Sequence, residues 1–290
     1  MKRVLIIGAS GQVGGTLASL CVRRKIEVYG TSRRGQGFLY MDLADKASIA
    51  AGFEKSAPDT VFLCSAMTHV DNCERDPGLA TLVNAQGPGL VAEECLRRGS
   101  KLVYFSTEYV FDGAAGPYSE EDPVSPVSVY GRTKLGGERA VLNLKGSLAV
   151  RTTVVYSHNP ASKNFIMQLI SNYRSGAKMR VPLDQYSNPT YAPELAAAVL
   201  DLAGGGAAGI YNVVGPDWMN RYEFALKACS VFGFDPGFIE PRPTSELGQS
   251  APRPLKAGLK TGKLVKRLGR GLPPTAESLA KIAAVIEQYE

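Results

Sequence analysis

Histidine is scarce in this chain: only His69 and His158 occur among 290 residues, without paired ligand spacing, which argues against a structural zinc site. No apolar run approaches the roughly 20 residues that span a bilayer, so no membrane partner is expected. The opening Met1-Lys2-Arg3-Val4-Leu5-Ile6-Ile7-Gly8 has the charged start of a leader. Its apolar run is too short for an h-region and reads as a buried first strand. The five cysteines (Cys21, Cys64, Cys73, Cys95, Cys229) are an odd set without CxxC spacing. That argues against a disulfide framework and for a reducing, cytoplasmic setting.

Charge of one sign is not strongly dominant either, since 33 Lys and Arg against 27 Asp and Glu give +6. Much of the excess lies late, at Arg253, Lys256, Lys260, Lys263, Lys266, Arg267 and Arg270. That stretch lacks the interleaved aromatics of a single-strand binder, so nucleic acid is not an expected partner and the charges read as a solvated face. What remains, 44% hydrophobic and 21% charged residues, is the composition of a soluble globular enzyme with a sizeable core.

Apolar runs at 4–7, 27–29, 61–64, 102–106 and 148–151 alternate with helix-length segments. This predicts an α/β fold, a doubly wound parallel sheet of the Rossmann kind. Val61-Phe62-Leu63-Cys64 and Leu102-Val103-Tyr104-Phe105 are continuously apolar, as strands covered on both faces should be. After residue 156 prolines and glycines become frequent and the alternation loosens. We expect residues 1–156 to form a dinucleotide-binding domain and 157–290 a smaller α+β substrate-binding lobe. Within the latter, 192–214 carries a helix and a strand that return to the main sheet. Asn220-Arg221-Tyr222-Glu223 is a capping box for a helix over 222–232, and 275–289 reads as a terminal amphipathic helix.

Gly8, Gly11 and Gly14, in Gly8-Ala9-Ser10-Gly11-Gln12-Val13-Gly14, follow a predicted strand and open a predicted helix. Missing side chains there permit a tight turn and close approach of a pyrophosphate to free helix N–H groups. At the end of the second strand, where NAD-binding proteins place an acidic residue, the chain has Thr31-Ser32-Arg33-Arg34. Ser32, Arg33 and Arg34 suit a 2′-phosphate, so NADPH is the expected cofactor, with NADH the alternative. Asp42, beside Leu43, reads either as an adenine contact or as a helix N-cap.

Tyr130 and Lys134, in Tyr130-Gly131-Arg132-Thr133-Lys134, are one helical turn apart on a helix predicted over 129–142. A phenol with an ammonium beside it can give up its proton to a developing alkoxide. Thr107, at the end of the strand over 102–106, is placed to hydrogen-bond the same carbonyl oxygen, or else caps the exit turn with Ser106.

With these residues in view, the chain resembles the extended short-chain dehydrogenase/reductases, and among them the dTDP-4-dehydrorhamnose reductase family of nucleotide-sugar 4-ketoreductases. The resemblance runs nearly end to end. It includes Asp42-Leu43-Ala44-Asp45, the string from Ser65 to Glu74, Asn84, the string Ser106-Thr107-Glu108-Tyr109-Val110-Phe111-Asp112-Gly113, Arg151-Thr152-Thr153-Val154-Val155-Tyr156, Asn188-Pro189-Thr190 and Arg253-Pro254.

The resemblance implies reduction of the C4 ketone of a nucleotide-linked 4-keto-6-deoxyhexose, with NADPH as hydride source, Tyr130 as proton donor, Thr107 orienting the oxygen and Lys134 tuning the phenol. It implies cofactor contacts at Gly8, Ser10, Gly11, Gln12, Val13, Gly14, Leu43, Ser65, Ala66, Met67 and Asn84, the last acting on Lys134, on a water, or as a structural amide. Thr107, Glu108, Val154, Asn164, Phe165, Asn188 and Arg253 match family positions near the substrate, Arg253 as a phosphate partner, and a homodimer is the candidate assembly.

Two positions depart from the family. Val154 stands where an RTSWVY-like string has tryptophan, and Thr16 where some relatives carry a metal-linked glutamate. A 4,6-dehydratase would want a second carboxylate after Glu108, where Tyr109 stands. An epimerase would want a cysteine and histidine beside the ketone. The competing reading of another class is a non-catalytic NADP-binding regulatory protein resembling the methionine adenosyltransferase β subunit, against which the intact Thr107, Tyr130 and Lys134 argue.

Overall fold

The apolar runs become strands because each is covered by helices on both faces. The computed structural model describes residues 1–35, 37–159 and 162–286. In it β1 (Arg3–Ile7), β2 (Glu27–Ser32), β3 (Leu39–Tyr40), β4 (Thr60–Leu63), β5 (Lys101–Thr107) and β6 (Leu148–Thr152) join the strand Gly209–Asn212 in one seven-stranded sheet. Every neighbouring pair is parallel, and the order is 209–212, β6, β5, β4, β1, β2, β3. β2 outruns the expected 27–29 because Thr31 and Ser32 find ladder partners in Leu39 and Tyr40.

Crossover helices α1 (Gln12–Arg23), α2 (Lys46–Ser56), α3 (Val70–Arg75), α4 (Pro77–Thr81), α5 (Gly87–Arg98) and α6 (Val129–Leu142) connect the strands. Alternation along each strand sorts the core into two layers. Val4, Ile6, Phe62, Val103 and Val150 face α1 and the helix Ala192–Gly204. Leu5, Ile7, Val61, Leu63, Leu102 and Tyr104 face the side of α2, α5 and α6. Helix Ala192–Gly204 lies against α1, and the following strand pairs with β6 from Gly209 opposite Leu148 to Asn212 opposite Arg151.

A separate apolar cluster forms beyond β6. Tyr156, from the short strand Val155–Tyr156, is buried together with Ile166, Leu169, Phe224, Ala228, Leu279 and Ile282, from helices Phe165–Ser175, Arg221–Phe232 and Thr275–Ile286. The Asn220–Glu223 capping box is present, and its helix starts at Arg221, one residue earlier than the pattern predicts. The final helix is described to Ile286, and the rest of the expected 275–289 lies outside the described residues. The sheet order reverses between β1 and β4, and the loops leaving these two strands diverge at their C-terminal ends, the place where open α/β sheets take ligands.

Candidate active site

Gly8 has a φ of +89°, a conformation that disfavours any side chain, and a Cβ there would lie 2.9 Å from the Ser65 nitrogen. Gly8 and Ala9 donate to the Thr31 carbonyl at 3.2 and 3.0 Å, so the turn is pinned to β2. α1 then starts at Gln12 with Gly11 as its N-cap, which offers no side-chain cap, and the first N–H groups of α1 have no intrahelical acceptor. This leaves a ready anion cradle. Gln12 turns sideways and accepts from the Ser162 hydroxyl, while Val13 packs on the core.

Two grooves flank this turn. One of about 440 Å³ is lined by Ser10, Gly11, Gln12, Thr16 and His158. The other, of about 240 Å³, is lined by Arg33, Asp42, Leu43, Ser65, Ala66 and Met67. Ser32 is buried, accepting from the Ser10 hydroxyl at 3.3 Å and the Arg34 N–H at 3.2 Å, whereas Arg33 and Arg34 are exposed. The N-cap of α2 is Asp45, whose carboxylate accepts from Ala47. Asp42 instead takes the Ala44 N–H at 2.9 Å and faces the groove.

Thr107 is the last residue of β5, and its hydroxyl accepts from the Tyr109 N–H at 3.2 Å as the chain turns. α6 is capped by Ser128, which accepts from Gly131 at 3.2 Å, and this places Tyr130 in the first turn and Lys134 one turn on. Gly131 allows α6 to press against the Tyr109 carbonyl, which any Cβ would strike. Burial raises the Tyr130 pKa, and its interaction with the Thr107 side chain pulls it back. Tyr130 therefore holds its proton at neutral pH, next to Thr107. Its ring meets Tyr109 edge-on at 5.4 Å.

Lys134 is buried; its Nζ donates to the Phe105 carbonyl at 2.7 Å and sits 4.1 Å from the centre of the Tyr104 ring. Burial pushes its pKa from 10.5 down to about 7, opposed by Glu138 and two cysteines. Glu138, one turn further along the same helix face, is locked in a buried pair with Arg151 at 2.6 Å. The sequence reading missed this pair, although a Glu four residues beyond the Lys was visible in it.

Several other expected site residues are held by the protein itself. Asn84 grips the Met67 backbone from both sides, accepting from its N–H at 2.8 Å and donating to its carbonyl at 3.0 Å, and reaches Thr133 at 3.3 Å. These bonds tie the loop after β4 to α6. Asn188 donates to the Gly215 and Asp217 carbonyls and accepts from Leu259 at 2.7 Å. Asn164 is the N-cap of helix Phe165–Ser175.

Glu108 is buried, with Oε1 accepting from Ser187 at 2.6 Å and from Thr153, and Oε2 from the Gly258 N–H at 2.8 Å. Arg253 pairs with Asp71 at 2.8 Å. Val154 has φ +45°, unusual and strained for a β-branched residue. Its carbonyl accepts from Thr190 at 3.1 Å, which ties the bend in place.

A parallel doubly wound sheet, a side-chain-free phosphate cradle and a Thr–Tyr–Lys constellation beside it define a Rossmann-fold, NAD(P)-dependent oxidoreductase of the short-chain dehydrogenase/reductase class. The RmlD substrate binding domain family model matches residues 1–288, and the chain belongs to that family. It is 34% identical over 256 residues to the spore coat polysaccharide biosynthesis protein SpsK of Bacillus subtilis, covering 88% of this chain and 87% of that one. Identity to a dTDP-4-dehydrorhamnose reductase of Streptomyces griseus is 33% over 258 residues, 87% of this chain and 83% of the relative. A solved dTDP-4-dehydrorhamnose reductase from Bacillus anthracis in complex with NADP has a TM-score of 0.89 at 29% identity, covering 99% of this chain and 100% of that one.

Proposed function

We propose that the protein reduces the C4 ketone of a nucleotide-linked 4-keto-6-deoxyhexose with NADPH. The observation that carries this reading is the meeting of Thr107 and Tyr130 at the end of β5, with Lys134 buried one helical turn away. The cofactor fits the residues present: the Gly8 cradle and uncapped α1 suit a pyrophosphate, the exposed Arg33 and Arg34 a 2′-phosphate, and Asp42 with Leu43 the adenine side. When bound, NADPH supplies the hydride for C4.

The protein's own residues handle the oxygen and its proton. Thr107 holds the ketone oxygen in line with the Tyr130 hydroxyl, and Tyr130, kept protonated by burial, gives its proton to that oxygen as negative charge grows there. Lys134, anchored on Phe105, keeps N–H directions open toward the cofactor ribose, and its charge stabilises the phenolate left behind. Residues 1–156 serve as the dinucleotide-binding part and 157–290 as the sugar-nucleotide part, with 192–214 completing the sheet.

The test is oxidation of NADPH, followed by absorbance, with a panel of nucleotide 4-keto-6-deoxy sugars. Wild type should turn over at least one of them. Tyr130→Phe should lose about 10²–10⁴-fold in kcat with NADPH affinity retained. Tight NADPH binding with silence across the panel would favour the regulatory reading instead, and undiminished turnover by Tyr130→Phe would remove it as the acid.

A further inference from the structure

Arg253, the family-matched phosphate residue, already has partners: Asp71 accepts from its Nη2 at 2.8 Å and the Ala251 carbonyl from its Nη1 at 3.1 Å. A second guanidinium that, like Arg253, acts electrostatically on Tyr109 has none. Arg221 is partly buried at the start of its helix, and among the described residues nothing accepts a hydrogen bond from its side chain. Its Cζ lies 5.8 Å from the centre of the Phe165 ring. Phe165 is itself stacked on the buried Phe224 at 5.3 Å, so a firm aromatic floor supports the group from one side.

Five N–H donors and a permanent charge in a half-dry place are costly to leave unmatched. Burial acts against the Arg221 charge, and Tyr109 and Glu108 are the groups that favour it. Glu108 already accepts from Ser187, Thr153 and Gly258, and no ion pair links it to Arg221. The Tyr109 hydroxyl also lacks a hydrogen-bond partner among the described residues. Tyr109 lies within electrostatic range of both Arg253 and Arg221, and its ring packs against the Tyr130 ring at an interplanar angle of 76°. Two unpartnered donors from separate elements therefore interact with each other electrostatically, and one of them, Tyr109, packs its ring against Tyr130 with centroids 5.4 Å apart.

We infer that Arg221 and the Tyr109 hydroxyl form an anion subsite that takes the diphosphate linker of the substrate, an assignment that rests on the function proposed above. With the ketone at Tyr130 and the cofactor over the sheet, the charged end of the substrate extends toward the lobe. A diphosphate presents paired oxygens that match the guanidinium fork, whereas a sugar hydroxyl would leave the charge uncompensated.

Calorimetric titration of dTDP, and separately of thymidine, into NADPH-loaded protein tests this. Arg221→Gln should weaken dTDP by on the order of tenfold or more, while leaving NADPH and thymidine affinities unchanged. Arg221→Lys, which keeps charge but not the fork, should fall between. Wild-type dTDP affinity in Arg221→Gln overturns the subsite and leaves the proposed reduction standing. Loss of NADPH binding in both variants also overturns it, marking Arg221 as a folding residue. A wild type that binds NADPH but no dTDP overturns the sugar-nucleotide reading beneath it.

Discussion

Replacing Lys134 by methionine should change how the stability of the cofactor-free protein depends on pH. The side chain is 3% exposed, and the Phe105 carbonyl is its one hydrogen-bond acceptor among the described residues. Burial therefore dominates, lowering its pKa from 10.5 to about 7. Below about pH 7 the amine is charged in both folded and unfolded chains, and the full burial penalty weakens the fold. Between about pH 7 and about pH 10.5 the unfolded chain keeps a proton that the folded chain has released, so stability climbs with pH.

At about 1.4 kcal/mol per pH unit, the whole window corresponds to about 5 kcal/mol, of which about 3 kcal/mol falls between pH 7 and pH 9.5. Methionine fills a similar volume and does not titrate. Urea unfolding of both proteins across that range should show wild type gaining about 3 kcal/mol on the variant as pH rises. Ionisation of tyrosines and cysteines elsewhere is common to both and drops out of the difference. A difference that stays flat with pH would refute a desolvated ammonium at this position.

Two further outcomes follow from the geometry. Alanine at both Arg33 and Arg34 should weaken NADPH on the order of tenfold to a hundredfold and NADH little, measured by nicotinamide fluorescence; equal losses would remove the 2′-phosphate assignment. Glu108→Ala should destabilise by about 3–6 kcal/mol because it strands the Gly258 N–H and two buried hydroxyls. Glu108→Gln should cost only about 1–2 kcal/mol, since the amide oxygen can still accept from Gly258 while Thr153 and Ser187 turn to accept from its nitrogen. Chemical denaturation separates the two, and an alanine variant as stable as glutamine would contradict the hub.

Features governed by local rules were readable before any coordinates. The turn at Gly8 needs a residue without a side chain, and Tyr130 and Lys134 share a face because a helix repeats every 3.6 residues. Strand 61–64 announces its burial by continuous apolarity. The helix start at Arg221 was missed by one residue, since a capping box marks the cap, Asn220, more sharply than the first turn. Asp42 stayed ambiguous for a similar reason: two aspartates, Asp42 and Asp45, compete for one cap, and only the path of the chain assigns it to Asp45.

The sequence alone thus determined the sheet, the side-chain-free turn at Gly8 and the one-turn spacing of Tyr130 and Lys134, because each depends on backbone geometry over a few residues. What surrounds them was decided by tertiary structure. Glu108 binds donors 45, 79 and 150 positions away, Arg253 meets an aspartate 182 positions upstream, and Val154 is held at positive φ through Thr190. No pattern of neighbouring residues encodes such contacts, since which polar groups find partners, and which, such as the Arg221 guanidinium and the Tyr109 hydroxyl, have no hydrogen-bond partner among the described residues, depends on how distant segments pack.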